Sequence, residues 1–335
     1  MKSVMLPRRL SRLGVVSVSL GTLLSGILAI NAIHPSRAQG GPPPARQHRA
    51  TQVRPVNLIP ASEPAPGVSK HSAKLEKAAR RILANAIPNH RVGPFPNHGN
   101  PHAIAEQAYD FTLPATPAVA ATLTPLHRPA GNNPGGAPNL PFGIAVNGVL
   151  FDPGTAEFWM GDRAAGWNYE ALGGAVALGL DTNHAHVQPN GAYHYHGVPT
   201  LLFKALDPAP DQHSPLIGWA ADGFPIYALR GWREARNPSS GVKILTSSYR
   251  LRSGDRPAPP IGPGGRFDGT FIQDYTFVAG SGDLDECNGR FTVTPEYPHG
   301  TYAYFLTENW PVIPRVFRGT PVQLRGAGAR GGARR

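Results

Sequence analysis

Along most of this chain the apolar positions do not recur at helical spacing. From residue 87 onward they alternate with polar ones over short runs, and each run stops at Gly, Pro, Asn or Asp. "PFGIAVNGVLF" (141–151) alternates around Asn147-Gly148, and "IGWAADGFPIYAL" (217–229) repeats the device around Asp222-Gly223. Both are hairpin signals. "GTYAYFLT" (300–307) reads as a strand with Tyr302 and Tyr304 on one face and Ala303 and Phe305 on the other. One segment departs from this pattern. In "SAKLEKAARRILANA" (72–86), Ser72 can cap, Leu75, Ala79, Ile82 and Leu83 fall at helical spacing, and Pro88 ends the run, which predicts a helix. There is no internal repeat of 20 to 50 residues and no strand–helix–strand alternation. The pattern predicts a mainly β protein: an antiparallel β-sandwich or barrel-like single domain with short helices and long loops.

The two ends read differently from the middle. Residues 1–38 carry Lys2, Arg8, Arg9 and Arg12, then an unbroken apolar or small stretch (13–33), then "SRA" with Ser36 and Ala38 at the small positions of a cleavage site. That is a signal peptide and predicts export to the periplasm or exterior, with no stable membrane span once it is cleaved. Arg8-Arg9 is a weak twin-arginine feature, because Leu10, Ser11 and Arg12 fit that signal poorly. Residues 39–71 are rich in Pro and Ala without apolar period and read as a disordered linker. Residues 72–322 read as the folded domain, and 323–335 as a disordered Arg/Gly tail.

Composition sharpens this picture at three points. Gly (39) and Pro (37) are abundant among 335 residues, which favours turns and short strands. The formal charge is +11, but the leader holds five basic residues and no acidic one, leaving 27 against 21 in the mature chain. Arg325, Arg330, Arg334 and Arg335 crowd the tail, so the folded part is near neutral and the chain is not expected to bind nucleic acid. A single cysteine, Cys287, excludes an internal disulfide, so stability has to come from burial or a bound metal.

The chemistry concentrates in "DTNHAHVQPNGAYHYHGVP" (181–199), with His184, His186, His194 and His196 in two H-x-H pairs. Residues i and i+2 of a strand share a face. A two-residue Asn190-Gly191 loop would send the pairs to opposite faces. A three-residue Pro189-Asn190-Gly191 loop pairs residues whose numbers sum to 380, placing His186 opposite His194 and His184 opposite His196. Pro suits the first position of the turn and Gly the left-handed position that follows, so the second register is favoured. It gathers four imidazoles on one hairpin face, with facing Cβ atoms about 5 Å apart. Such a cluster predicts a divalent transition-metal site, zinc or copper, at His184, His186, His194 and His196. Tyr193 and Tyr195 alternate to the other face and fit core packing better than catalysis, yet they remain candidate proton donors.

"GAYHYHG" resembles the signature of the YHYH domain family of exported bacterial proteins. "ANAIPNHRVGPFPNHGNP", "GIAVNGVLFDPGTAEFW", "IGWAADGFPIY" and "DLDECNGRFTVTPEYPHGTYAYFLTENWPVIPRVFRG" resemble its successive blocks, over roughly residues 80 to 320. The family is named for its motif rather than for an activity, so the resemblance implies domain limits more than chemistry. Each block supplies polar residues that can converge on the hairpin. The second-tier metal candidates are His90, Asp285 and Cys287. Asp222 and Glu286 join Tyr193 and Tyr195 as catalytic candidates. "DLDECNG" departs from a calcium loop, because Gly289 comes one place late. Zinc-protease, serine-hydrolase, phosphate-loop and dinucleotide motifs are absent. The expected function is an exported metal-binding protein, with a metal-dependent hydrolase acting on an unknown small molecule as one use. The alternative is a metal-free cell-envelope or glycan-binding module in which Trp159, Trp167, Trp219, Trp232 and Trp310 stack on sugars. A metal-free hydrolase or lyase using His and Tyr as base and acid is the third reading.

Overall fold

The structure is a computed structural model that describes residues 48–126, 141–206 and 209–324. The expected leader lies outside the described residues, as does the expected tail apart from Gln323 and Leu324. Strands run β1 (His71–Glu76), β2 (Ala79–Ala84), β3 (Tyr109–Pro114), β4 (Val119–Pro125), β5 (Gly143–Ala145), β6 (Leu150–Phe151), β7 (Ala185–Val187) and β8 (Tyr193–Tyr195). One short helix follows, α1 (Thr200–Leu206). Then come β9 (Gly218–Ala220), β10 (Pro225–Ala228), β11 (Arg230–Glu234), β12 (Asn237–Ile244), β13 (Tyr249–Leu251), β14 (Tyr275–Phe277), β15 (Gly289–Thr292), β16 (Thr301–Leu306) and β17 (Val316–Gly319). The protein is mainly β, as the alternation implied.

Its centre is an eight-stranded sheet in the order β15-β16-β10-β9-β5-β6-β8-β7. β10 and β16 are parallel, as are β6 and β8, and the other neighbours are antiparallel. The sheet is open at β15 and β7, so it does not close as a barrel. Alternation decides what each side buries. Tyr302, Tyr304, Ile226, Tyr193 and Tyr195 face the large apolar core with Phe142, Ile144, Phe151 and Phe317. Ala303, Phe305 and Tyr227 face a smaller cluster on the opposite side. The predicted sidedness of Tyr302/Tyr304 against Ala303/Phe305 is thus borne out.

Three hairpins use one device. Ala145, Ala220 and Gln188 each accept from a glycine N–H three residues on, at 2.8 Å, and each donates to the carbonyl four residues on. Those glycines, Gly148, Gly223 and Gly191, sit at φ of 82°, 91° and 85°. Glycine is required at Gly191 twice over. The φ lies in the left-handed region, and an added Cβ would come within 2.5 Å of Ala105 Cβ.

Two expectations fail. The predicted helix at 72–86 is the β1–β2 hairpin, in which Glu76 pairs with Ala79 and Ser72 with Leu83. The chain reverses at Lys77, whose φ is 57°. β2 lies between β1 and β3 and buries Arg80, Ile82 and Ala84 at period two. Leu75 and Leu83, half of the supposed helical stripe, are exposed. Sheet pairing on both sides of β2 overrides the local helical spacing. Residues 48–71, taken from composition as linker, are instead laid along the body. Ile59 N–H donates to the Leu180 carbonyl and the Ile59 carbonyl accepts from Thr182 N–H, Glu63 exchanges two bonds with Val92, and Arg54 N–H donates to the Gly173 carbonyl. Their prolines suit an extended strap whose bonds go to a partner segment instead of to a sheet interior.

Candidate metal centre

The β7–β8 hairpin has the predicted register. His186 pairs with His194, flanked by Ala185 with Tyr195 and Val187 with Tyr193. His186, His194 and His196 come together, with candidate ligand atoms all within 4.8 Å of one another. Each pair of rings has a centroid separation of 4.7 Å. His186 Nε2 and His196 Nε2 are 3.1 Å apart. Two nitrogens on one tetrahedral ion, with bonds of about 2.0–2.1 Å, lie about 3.3 Å apart, so this spacing fits a shared metal.

The far sides of the rings are as informative. His186 Nδ1 lies 2.8 Å from the Leu178 carbonyl and His194 Nδ1 3.2 Å from the Ala192 carbonyl. A carbonyl only accepts, so each Nδ1 carries the proton and each Nε2 offers a lone pair to the cluster. Backbone carbonyls commonly orient metal-bound imidazoles in this way. Asn100 Nδ2 donates to the Val187 carbonyl at 2.8 Å and closes the rim beside His186. His196 Nδ1 makes no hydrogen bond, and the Pro153 backbone favours the protonated form of the ring without outweighing burial. Burial, reinforced by the neighbouring histidines, depresses proton affinity. His186 falls to about 3 and His196 drops well below its ordinary value. Both are therefore neutral, as ligation requires.

His184, the fourth predicted ligand, does not join. Its backbone pairs as expected, since His196 N–H donates to its carbonyl at 2.7 Å. Its φ of 54°, however, lies outside the strand region, and its ring turns to the Val198 carbonyl at 2.9 Å. The other candidates are elsewhere. Asp222 accepts from Tyr304 Oη at 2.5 Å and from Gly319 N–H at 2.8 Å, and burial raises its pKa. Asp285 accepts from Tyr302 Oη at 2.8 Å and from Cys287 and Gly289 N–H, with its pKa also raised by burial. Cys287 is fully buried in the large core, where burial pushes its thiol up to about 12. Glu286 is exposed. Tyr193 and Tyr195 point to the far face of β8. There Tyr193 Oη donates to Asp181 Oδ2 at 2.7 Å, and Tyr195 Oη meets His90 Nε2 at 2.7 Å.

One residue of the site is not marked in the sequence. Asp152 follows β6, which runs parallel to β8 with Leu150 beside His194 and Phe151 beside Tyr195. Asp152 N–H donates to the Tyr195 carbonyl at 2.9 Å, so alternation turns its buried carboxylate to the histidine face. Gln188 Nε2 donates to Asp152 Oδ2 at 2.8 Å, and the carboxylate's charge is felt at His186. The tryptophans form no shared platform. Trp159 and Trp167 pack with Tyr169 and Phe271, Trp219 lies under the Arg80 guanidinium, Trp232 touches His213, and Trp310 stacks on Tyr275.

The molecule is thus an open-sheet β protein with a buried three-histidine cluster on one hairpin. The YHYH family profile, described as YHYH protein, matches residues 110–319, and the chain belongs to that family. No curated protein and no solved structure matches it. Among the described residues, no helix is long and apolar enough to cross a membrane.

Proposed function

We propose that His186, His194 and His196 bind one divalent transition metal, zinc or copper, through their Nε2 atoms, in a protein that is exported. The observation that carries this reading is the convergence of three imidazoles, His194 and His196 buried and His186 partly so, two of which have Nδ1 committed to backbone carbonyls. Three protein ligands leave a coordination position open, and a metal there would supply Lewis acidity and an activated water, the chemistry of a metal-dependent hydrolase. Asp152, on the same face, is the carboxylate placed to orient a group near the histidines. Tyr193 and Tyr195 are not the proton donors of this site, since β8 itself stands between them and it. Elemental analysis of the mature protein, purified untagged and without chelator, tests the reading beside a His194→Ala/His196→Ala double variant. Near-stoichiometric metal in the parent and little in the variant supports it. Absence from both, persisting after dialysis against zinc and copper, overturns it.

A further inference from the structure

The tyrosine face of β8 holds a hydrogen-bonded chain that metal binding leaves unused. Tyr195 is fully buried. Its Oη accepts from Asn147 Nδ2 at 2.9 Å and lies 2.7 Å from His90 Nε2. His90 Nδ1 lies 2.7 Å from the Arg91 carbonyl. That carbonyl accepts only, so the ring proton is on Nδ1, Nε2 carries a lone pair, and Tyr195 donates to it. Beside this pair stands Tyr193, its ring centroid 5.9 Å from that of Tyr195, donating to Asp181. Burial lowers the proton affinity of His90, which keeps it neutral and able to accept, while the Arg91 carbonyl and the charge of Asp181 partly offset that cost once it is protonated.

This arrangement suits a particular reaction. A buried phenol gives up an electron at great cost if a cation is left behind, because an unpaired charge in a dry interior is unfavourable. With a base already in hydrogen-bond contact, electron and proton can leave together and no charge stays on the ring. We propose that Tyr195 is a redox-active tyrosine with His90 as its proton acceptor, passing single oxidising equivalents between the histidine face of β8 and the loop at His90. In the step, a strong one-electron oxidant, peroxide-derived in its natural setting, takes one electron from Tyr195. The Oη–H bond breaks and an Nε2–H bond forms on His90. The products are a neutral tyrosyl radical, an imidazolium and the oxidant reduced by one electron. Return of an electron sends the proton back. Asp181 stabilises the imidazolium, and Asn147 continues to donate to the phenoxyl oxygen. The position of Tyr195 between His194 and His196 gives the pair its purpose only if the metal reading holds, and it then selects copper over zinc.

The test uses metal-free protein, so its outcome is separate from that of the metal analysis. Flash excitation of a ruthenium tris(bipyridine) sensitiser with persulfate as electron acceptor supplies the oxidant, and electron paramagnetic resonance with transient absorption reads the radical. The expected result is a long-lived, solvent-shielded tyrosyl signal. It is kept in Tyr193→Phe, lost in Tyr195→Phe, and formed roughly a hundredfold more slowly in His90→Gln, the scale of a lost base in hydrogen-bond reach. A signal unchanged in Tyr195→Phe, as from half-buried tyrosines such as Tyr297, would overturn the proposal. So would a formation rate in folded His90→Gln equal to that of the parent. If Tyr195→Phe does not fold, the His90→Gln rate decides alone.

Discussion

The two faces of the β7–β8 hairpin both carry polar rings and treat them oppositely. On one face Tyr193 and Tyr195 each meet a base at 2.7 Å, and their hydrogen-bonding capacity is used within the protein. On the other, His186 and His194 each turn Nδ1 to a backbone carbonyl, and His186 Nε2 meets the His196 imidazole at 3.1 Å. Buried polar groups in a finished core find partners, and the gathering of three imidazoles on this face is what the proposed metal site rests on. Alternation along three residues, Tyr193–His194–Tyr195, is enough to separate the tyrosine network from the proposed metal site.

The largest effect that would break this contrast is loss of metal. Removing His194 and His196 together is expected to abolish binding, and a saturating metal is expected to stabilise the parent by about 4 kcal/mol at a thousandfold excess over its Kd. Calorimetry with and without chelator measures that difference. Acidification of the metal-free protein comes next. His186 is neutral in the fold down to about pH 3 but takes a proton near pH 6.5 when unfolded. The unfolded state therefore binds more protons across that window, and stability falls as pH drops through it, by up to about 1.4 kcal/mol per unit for this group. Urea titrations between pH 7 and 4 should show the slope, and His186→Gln should make it shallower while His196 keeps part of it. On the other face, Tyr193→Phe removes a donor to the buried Asp181 and should cost about 1–3 kcal/mol without changing metal content. His184→Ala is the mildest change. It should leave stoichiometry intact and cost about 1 kcal/mol, because its ring serves only the Val198 carbonyl. Metal loss in that variant would mean that the contrast has been drawn with the wrong residues.

How much of this was legible depended on distance along the chain. The β7–β8 register followed from Pro189-Asn190-Gly191, because a three-residue loop fixes which partners face each other. The same local logic placed the Asn147-Gly148 and Asp222-Gly223 turns and the two faces of β16. His184 was misplaced by a single backbone angle that no nearby residue type announces. The β1–β2 hairpin was misread because Leu75, Ala79, Ile82 and Leu83 satisfy a helical stripe, while Arg80, Ile82 and Ala84 satisfy a strand. Only the pairing with β3 and the cation–π contact of Arg80 with Trp219 choose between them. Asp152 was invisible for the same reason. It reaches the histidines through the parallel pairing of β6 with β8, a contact across more than forty residues that leaves no local mark.

The strap at residues 48–63 bears on how the centre is made. Ala61 bonds to Thr182 across 121 positions, and Val53 to Asp268 across 215. Contacts of such sequence separation form late and slowly. The Leu178 carbonyl that aims His186 lies two residues from Leu180, which the strap clasps. The aim of His186 therefore depends on a meeting between residues 48–63 and the middle of the chain. Under the proposed metal reading, a change that loosens the strap would also loosen the histidines' hold on a cation.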